Sequence, residues 1–305
     1  MVGGVGMITK TTKVRNKIRR SRGEQIFNVF NIFLLSLLLL ACLYPFWYVI
    51  CASFSKSSLF MAHSGMLFKP VGFSTKAYEK VFENSMLWRG YANTIFYVVA
   101  GTAINIIMTV LGSYFLSRKD VPGKKAVMVF IIFTMYFSGG MIPGFLNIQD
   151  LGLYNTRWAL LLPPAISTFN LIIMRTAMMS IDASLEESAR LDGANHFTIL
   201  FRLMMPLTRA TVAVLVLYYG VAHWNSWFPA MLYLEDKAKE PLQIVLRQIL
   251  IINDMSDMAV GEDTEMISET IKHATILVST LPILCLYPFL QKYFTKGMMV
   301  GALKG

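Results

Sequence analysis

The chain has 305 residues, of which 55% are hydrophobic and 15% charged, with a mean hydropathy of +0.53 and a net charge of +10. A soluble domain carries about 25% charged residues, so this composition excludes an ordinary soluble globular protein and points to an integral membrane protein. The excess of basic charge calls for no nucleic acid. It flanks the apolar runs, where positive residues orient a membrane protein, and it can also attract anionic lipid.

In chain order, a basic segment over 1–24 comes first, with Lys10, Lys13, Arg15, Lys17, Arg19, Arg20 and Arg22. Six uncharged runs follow, at 25–55, 90–117, 126–149, 158–174, 210–234 and 273–291. About 17–25 apolar residues carry a helix across the hydrocarbon core. The simplest reading is therefore an all-α integral membrane fold with six transmembrane helices inside a 25–292 domain, then a tail over 293–305. The first run is too long for a cleaved signal peptide, and no small-residue cleavage site follows it. The fourth run holds Pro163, Pro164 and Asn170. It is expected to be broken at its start and packed inside the bundle, where freed backbone groups find partners.

Three basic clusters, namely the N-terminal segment, Arg118, Lys119, Lys124 and Lys125 after the second run, and Lys292, Lys296 and Lys304 in the tail, share one side of a six-span arrangement. That side is cytoplasmic by the positive-inside rule, so both termini are expected in the cytoplasm. The loop over 234–272 carries nine acidic residues between Glu235 and Glu269 and is expected outside. Cys42, Cys51 and Cys285 lie in or beside spans and read as small packing residues. Neither their spacing nor the four scattered histidines suggests a metal site.

The first outer loop, 51–92, contains a turn at Phe68-Lys-Pro-Val-Gly-Phe73 and a short amphipathic helix around Tyr78–Phe82. Asn93, Asn105 and Ser113 in the second span are expected to join helices, with a direct role in transport as the alternative. Phe137-Ser-Gly-Gly-Met-Ile-Pro143 ends the third span.

The connector from Arg175 to Arg209 is far longer than two spans need, and it is patterned. A capping box at Ser184 and Glu187, or Asp182 as a rival N-cap, predicts a helix over about 183–191. Leu185 and Ala189 share a face that excludes Leu191. Asp192-Gly193 reads as a sharp turn needing a positive φ at glycine. A second helix should carry Phe197, Leu200, Leu203 and Met204 on one stripe and end at Pro206. The 182–206 segment is thus a helix–turn–helix elbow, apolar toward the bundle and polar outward.

In the fifth span, Tyr219, His223, Trp224 and Asn225 are candidates to line a translocation pathway. Sugars are held by aromatic faces and hydrogen-bonding groups, although Trp and Tyr also gather at membrane interfaces. His223 and Asn225 are favoured because polar groups within a membrane rarely face lipid. In the outer loop, Leu242, Val245, Leu246 and Ile249 form a helical stripe. It is read either as a surface for an extracellular binding protein or as a helix lying on the bundle or bilayer. The stretch from Asn253 through Asp254 and Asp257 is the candidate binding-protein contact.

The elbow resembles the signature of inner-membrane permease subunits of ABC importers, carried here by Glu187, Ala189, Asp192, Gly193, Leu203 and Pro206. Ser188 stands where Ala is commoner, and Met205-Pro206 where Leu-Pro is commoner. Leu151-Gly-Leu-Tyr-Asn-Thr-Arg-Trp158, Phe169-Asn-Leu-Ile-Ile-Met-Arg175, Trp224-Asn-Ser-Trp-Phe-Pro-Ala230 and Gln291-Lys-Tyr-Phe-Thr-Lys-Gly297 are similar to the carbohydrate-uptake branch. They resemble its smaller maltose permeases and its polysaccharide-fragment permeases. The resemblance implies a type I (MetI-like) importer fold in a bacterial cytoplasmic membrane. It implies partners too: a second homologous permease, two ATPase subunits, an extracellular solute-binding lipoprotein and a sugar substrate. It makes Glu187, Ser188, Ala189, Asp192, Gly193, Ala194, Leu203 and Pro206 the ATPase-coupling residues. The chain has no Gly-x-x-x-x-Gly-Lys-Ser/Thr loop to cradle phosphates, so ATP and Mg belong to the partner ATPase and this chain is expected to bind no cofactor and be no enzyme. The rivals are a permease of the same fold for peptide, polyamine or phosphate, an ion-coupled secondary transporter, and a membrane-embedded enzyme. The last two would usually need ionisable groups within spans.

Overall fold

The computed structural model describes residues 21–256 and 269–285, and only the backbone of 252–256. The described chain divides into two units, one ending at Tyr48 and one beginning at Val49. The first unit is the greater part of helix α1 (Arg22–Ser53), which is apolar on every side, with Phe27, Phe30, Phe33, Leu40 and Trp47 all exposed. A helix hydrophobic all round belongs in lipid or a protein core.

The second unit is organised on α4 (Ser85–Ser117), capped by Asn84, whose side chain accepts from the Met86 N–H at 2.9 Å. Before it lie α2 (Ser57–Met61) and α3 (Lys76–Glu83), held by an antiparallel bridge between Ser55 and Phe73. Small or polar residues Gly101, Thr102, Asn105, Thr109 and Ser113 are buried along α4. Such residues let helices approach closely and hydrogen-bond across the contact. The expected joining roles are seen: Ser113 Oγ donates to Leu171 O at 3.0 Å, and Asn93 Nδ2 donates to Ala238 O and Glu240 O.

The third uncharged run holds two helices, the first of them ending where the Phe137–Pro143 segment begins. Helix α5 (Lys124–Tyr136) and helix α6 (Met141–Asp150) meet at 117°. The break falls at Gly139-Gly140, where Gly140 takes φ +89°, a conformation that side chains rarely adopt. The fourth run is broken at its start, as expected. Pro163 and Pro164 separate α7 (Trp158–Leu161) from α8 (Thr168–Met179), which buries Asn170, Leu171, Met174 and Met178. The Pro164 carbonyl freed by the break accepts from Asn105 Nδ2.

The connector forms α9 (Ala183–Leu191), α10 (His196–Thr198), a π-helical turn (Ile199–Met204) and α11 (Met205–Leu207). Then α12 (Arg209–Trp224) leaves at 84° to the helical stretch His196–Leu207. The second helix of the elbow thus does not end at Pro206. Proline has no N–H to give and its ring crowds the carbonyl four residues back. The widened π turn takes up that misfit, and the bend falls at Thr208, whose hydroxyl donates to Met204 O at 2.8 Å. The chain continues through α13 (Phe228–Tyr233), α14 (Leu242–Ser256) and a last helix over 269–285. Among the described residues, two helices are long and apolar enough to cross a membrane alone, or up to four if each bent pair is one span. Within the apolar runs, Gly139-Gly140 divides the third and Pro163-Pro164 the fourth, so neither is one long helix.

The stripe on α14 lies against the bundle, with Leu242, Val245 and Leu246 buried. Polar staples fix the preceding strand of chain. Asn155, in the left-handed region at φ 55°, accepts on its side chain from the Glu235 and Asp236 N–H groups. Thr94 Oγ1 accepts from Leu242 N at 2.8 Å, and Arg157 reaches Asn93 Oδ1 at 2.9 Å. Of the outer-loop candidates, Asn253 and Asp254 have only their backbone described, on α14, and Asp257 lies outside the described residues.

Candidate functional site

The elbow is built from local signals. Asp182 caps α9, accepting from the Ser184 N–H at 3.0 Å, so Ser184 and Glu187 lie inside the helix and form no capping box. That hydrogen bond holds the Asp182 carboxyl below the usual carboxylate range. The far end of α9 closes as a Schellman motif: Gly193 N–H donates to Arg190 O at 3.0 Å and Ala194 N–H to Ala189 O at 2.9 Å, with Gly193 at φ +79°. Asn195 then caps the next turn, accepting from the Thr198 N–H at 2.8 Å.

These caps sort the predicted coupling residues into two faces. Ala189, Ala194 and Leu203 pack on a buried cluster of Val110, Tyr114, Met174, Met178, Ile199 and Leu200. Glu187, Ser188, Asp192, Gly193 and Pro206 are exposed. Leu191, expected off the inner face, is 90% exposed, but Leu185, expected on it with Ala189, is exposed as well. The stripe of the second helix is shifted: Ile199, Leu200 and Met204 are buried, while Phe197 is 68% exposed. The π turn changes the angular spacing on which the α-helical stripe was drawn.

A charge cluster that the sequence did not reveal lies behind the exposed face. Glu186, not Glu187, pairs inward, with Arg118 at the end of α4 and with Arg190 at 2.9 Å. Arg190 also pairs with Asp120 at 3.0 Å. The Arg118 guanidinium sits over the Tyr114 ring at 4.5 Å, and the Tyr114 hydroxyl meets His196 Nδ1 at 3.1 Å. The helical spacing of Glu186 and Arg190 is legible in sequence; the partner Arg118, in another helix, is not.

The second candidate site is a cavity of about 500 Å³ between the α7–α8 break and α12. It is lined by Pro163, Pro164, Ser167 and Asn170 on one side and by Tyr218, Tyr219, His223 and Ser226 on the other, with no charged side chain in its wall. His223 is buried, and its Nε2–H donates to Asn105 Oδ1 at 2.7 Å. Tyr219 shares a 2.7 Å hydrogen bond with Thr109 and accepts from the Ser167 N–H at 3.1 Å. Gly101 faces the His223 ring so closely that a Cβ there would overlap it. The other two predicted pathway residues are elsewhere. Trp224 packs beneath α14 with Leu87, Leu242 and Leu246. Asn225 is exposed, its Nδ2 turned back to Val221 O at 3.0 Å. Helical rotation separates them: one residue beyond His223 already faces away.

Residues 108–300 match the family described as the binding-protein-dependent transport system inner membrane component. The chain belongs to this family. The match includes the whole elbow and the α12 wall of the cavity of this transport component. Among its relatives, the polygalacturonan/rhamnogalacturonan transport system permease protein YtcP of Bacillus subtilis is 42% identical over 87% of this chain and 94% of its own. Protein LplC of the same organism is 42% identical over 86% of this chain and 89% of its own. A solved bacterial ABC transporter, involved in the import of the acidic polysaccharide alginate, has a chain 37% identical to this one. The alignment covers 91% of this transport component and all of that chain, with a TM-score of 0.84.

Proposed function

We propose that this chain is one half of the membrane pathway of an ATP-driven oligosaccharide importer, driven by a cytoplasmic ATPase that docks on the 182–206 elbow. The observation that carries the reading is the two-faced elbow. Its inner face is locked into the bundle, while Glu187, Ser188 and Leu191 stand outward beside a glycine turn that lets another surface come close. The neighbouring Arg118, Lys119, Lys124 and Lys125 support a cytoplasmic position for it. The sugar reading is supported by the relatives, one belonging to a polygalacturonan/rhamnogalacturonan transport system and one to a transporter involved in alginate import. It is also supported by a cavity whose wall holds three tyrosines, one histidine and no fixed charge.

In this reading a second permease of the same fold completes the pathway and an extracellular binding protein delivers the sugar. The ATPase pair, holding ATP and Mg, closes and drives the two elbows together as rigid bodies. Six crossings are retained, the third and fourth being short and leaning on α4 and its neighbours instead of facing lipid alone. His223 and Tyr219 line the pathway; Glu187, Ser188, Asp192 and Gly193 meet the ATPase. The test is uptake of radiolabelled trigalacturonate and ATP hydrolysis by the complete transporter in proteoliposomes. Glu187→Lys and Gly193→Val should each abolish binding-protein-stimulated uptake. Normal uptake and hydrolysis in both variants would remove the docking role, and failure of any uronate or neutral oligosaccharide to be transported by the unaltered complex would remove the sugar reading.

A further inference from the structure

We propose that Glu186 and Arg118 are positioning residues that make α4 the rod carrying motion from the elbow to the cavity. The proposal rests on the docking role of the elbow just given. Three observations carry it.

First, the elbow grips the inner end of α4 through both of its arms. From the first arm, Glu186 pairs with Arg118, and Arg190 ties Glu186 to Asp120. From the second arm, His196 meets the hydroxyl of Tyr114, whose ring lies under the Arg118 guanidinium. The Arg118 side chain is 8% exposed and that of Glu186 14%. Loss of Glu186 would leave the buried Arg118 charge without its carboxylate, while Glu186 would keep only the more exposed Arg190, so the pair holds the two elements at one distance. Second, the grip is tied to neighbouring chain as well. Arg175 Nε donates to Leu116 O at 3.1 Å, and Lys124 donates to Arg118 O. Third, the same helix holds the cavity wall about 20 Å away, thirteen residues at 1.5 Å each. There Asn105 takes the His223 proton donor and Thr109 the Tyr219 hydroxyl. A displacement of the elbow therefore reaches the cavity through one unbroken stretch of helix, clamped by polar contacts at Asn105 and Thr109 and at the Arg118 end. Glu187, one residue further on α9, is exposed and belongs to the docking face, so adjacent glutamates have separate tasks.

The claim of a coupling route needs a coupling measurement. The complete transporter is purified with its ATPase and reconstituted with its binding protein, and three quantities are read: ATPase retained, ATP hydrolysed, and labelled trigalacturonate taken up per ATP. Glu186→Gln and Arg118→Gln should each retain the ATPase and lower uptake per ATP about tenfold. The double variant should be no worse than either single one. It leaves no lone buried charge, so it is the variant to read if a single one fails to accumulate. Glu186→Asp, which keeps the charge, should recover most of the uptake per ATP. Unchanged uptake per ATP in the double variant, or losses that multiply in it, would overturn the proposal. Glu187→Lys separates this from the docking reading: it should lose the ATPase itself, and if it keeps both ATPase and uptake the docking reading fails whatever Glu186 does.

Discussion

His223 is placed by two residues of α4 that the sequence presents quite differently. Asn105, a polar residue in a span, was recognisable as a joiner of helices. Gly101 carried no such mark, and its role is visible only because a Cβ there would strike the imidazole. Removing the Asn105 amide would leave the His223 N–H and the Pro164 carbonyl both unpaired in the bundle. Interhelical hydrogen bonds in membranes are worth about 0.6 kcal/mol on average, while a stranded buried group costs about 1–3 kcal/mol. Asn105→Ala should therefore destabilise the protein by about 2 kcal/mol, seen as a lower thermal midpoint in detergent. Gly101→Ala should displace the ring and reduce uptake, and pairing it with His223→Ala should restore the thermal midpoint without restoring uptake. An unaltered midpoint in Gly101→Ala would show that the ring has room to move. At this scale the sequence favoured His223 and Asn225 through their polarity within a span, and of these only His223 lines the cavity. The sequence could not tell that Tyr219 shares the wall with His223 while Trp224 and Asn225 do not, because a helix turns about 100° per residue and only the packed bundle says which direction is inward.

Among the elements, the elbow was the most legible, since its caps are local chemistry. Asp192-Gly193 predicted a turn with positive φ, and Gly193 at +79° closes α9 in that way. Gly193→Asn, tolerated at positive φ, should keep most transport, whereas Gly193→Val should not. A fully active valine variant would contradict the turn. Two carboxyls outside the spans should respond to pH with opposite sign. The folded pKa of Asp182 is lowered by the Ser184 N–H, so its contribution is present above the ordinary carboxylate range and lost as pH falls through the lower folded value. Hydrogen exchange in the first turn of α9 should accelerate in acid, and Asp182→Asn should flatten that response. Burial raises Glu240, with Gln248 offsetting part of the effect. The buried carboxyl costs least when neutral, so its contribution to stability is fully present below the ordinary carboxylate range and is lost as pH rises through the raised folded value, the Gln248 bond to the charged form offsetting only part of the loss. Exchange at the start of α14 should quicken on that side, and Glu240→Gln should remove the dependence. The bends were less legible. Gly139-Gly140 was read as the end of a span, but not as a 117° turn, and nothing in the pattern announced the π turn before Pro206, because hydrophobic periodicity is drawn for a regular α-helix.

For the whole molecule, composition and charge placement were enough for a membrane protein built of apolar helices, and the elbow motif was enough for the family. The inward partner of the elbow was not legible. Glu186 and Glu187 are chemically the same, and choosing between them requires Arg118, which only the fold brings near. The account makes one central claim, that the outward face of α9 is where a cytoplasmic ATPase attaches. Leu191, at 90% exposure the most open large apolar side chain described, is the natural place to ask. A photoreactive amino acid at position 191, irradiated in membranes holding the complete transporter, should give an adduct of this chain with the ATPase subunit, and Glu187→Lys in the same chain should diminish it. An adduct with lipid or with the extracellular binding protein, and none with the ATPase, would contradict the account.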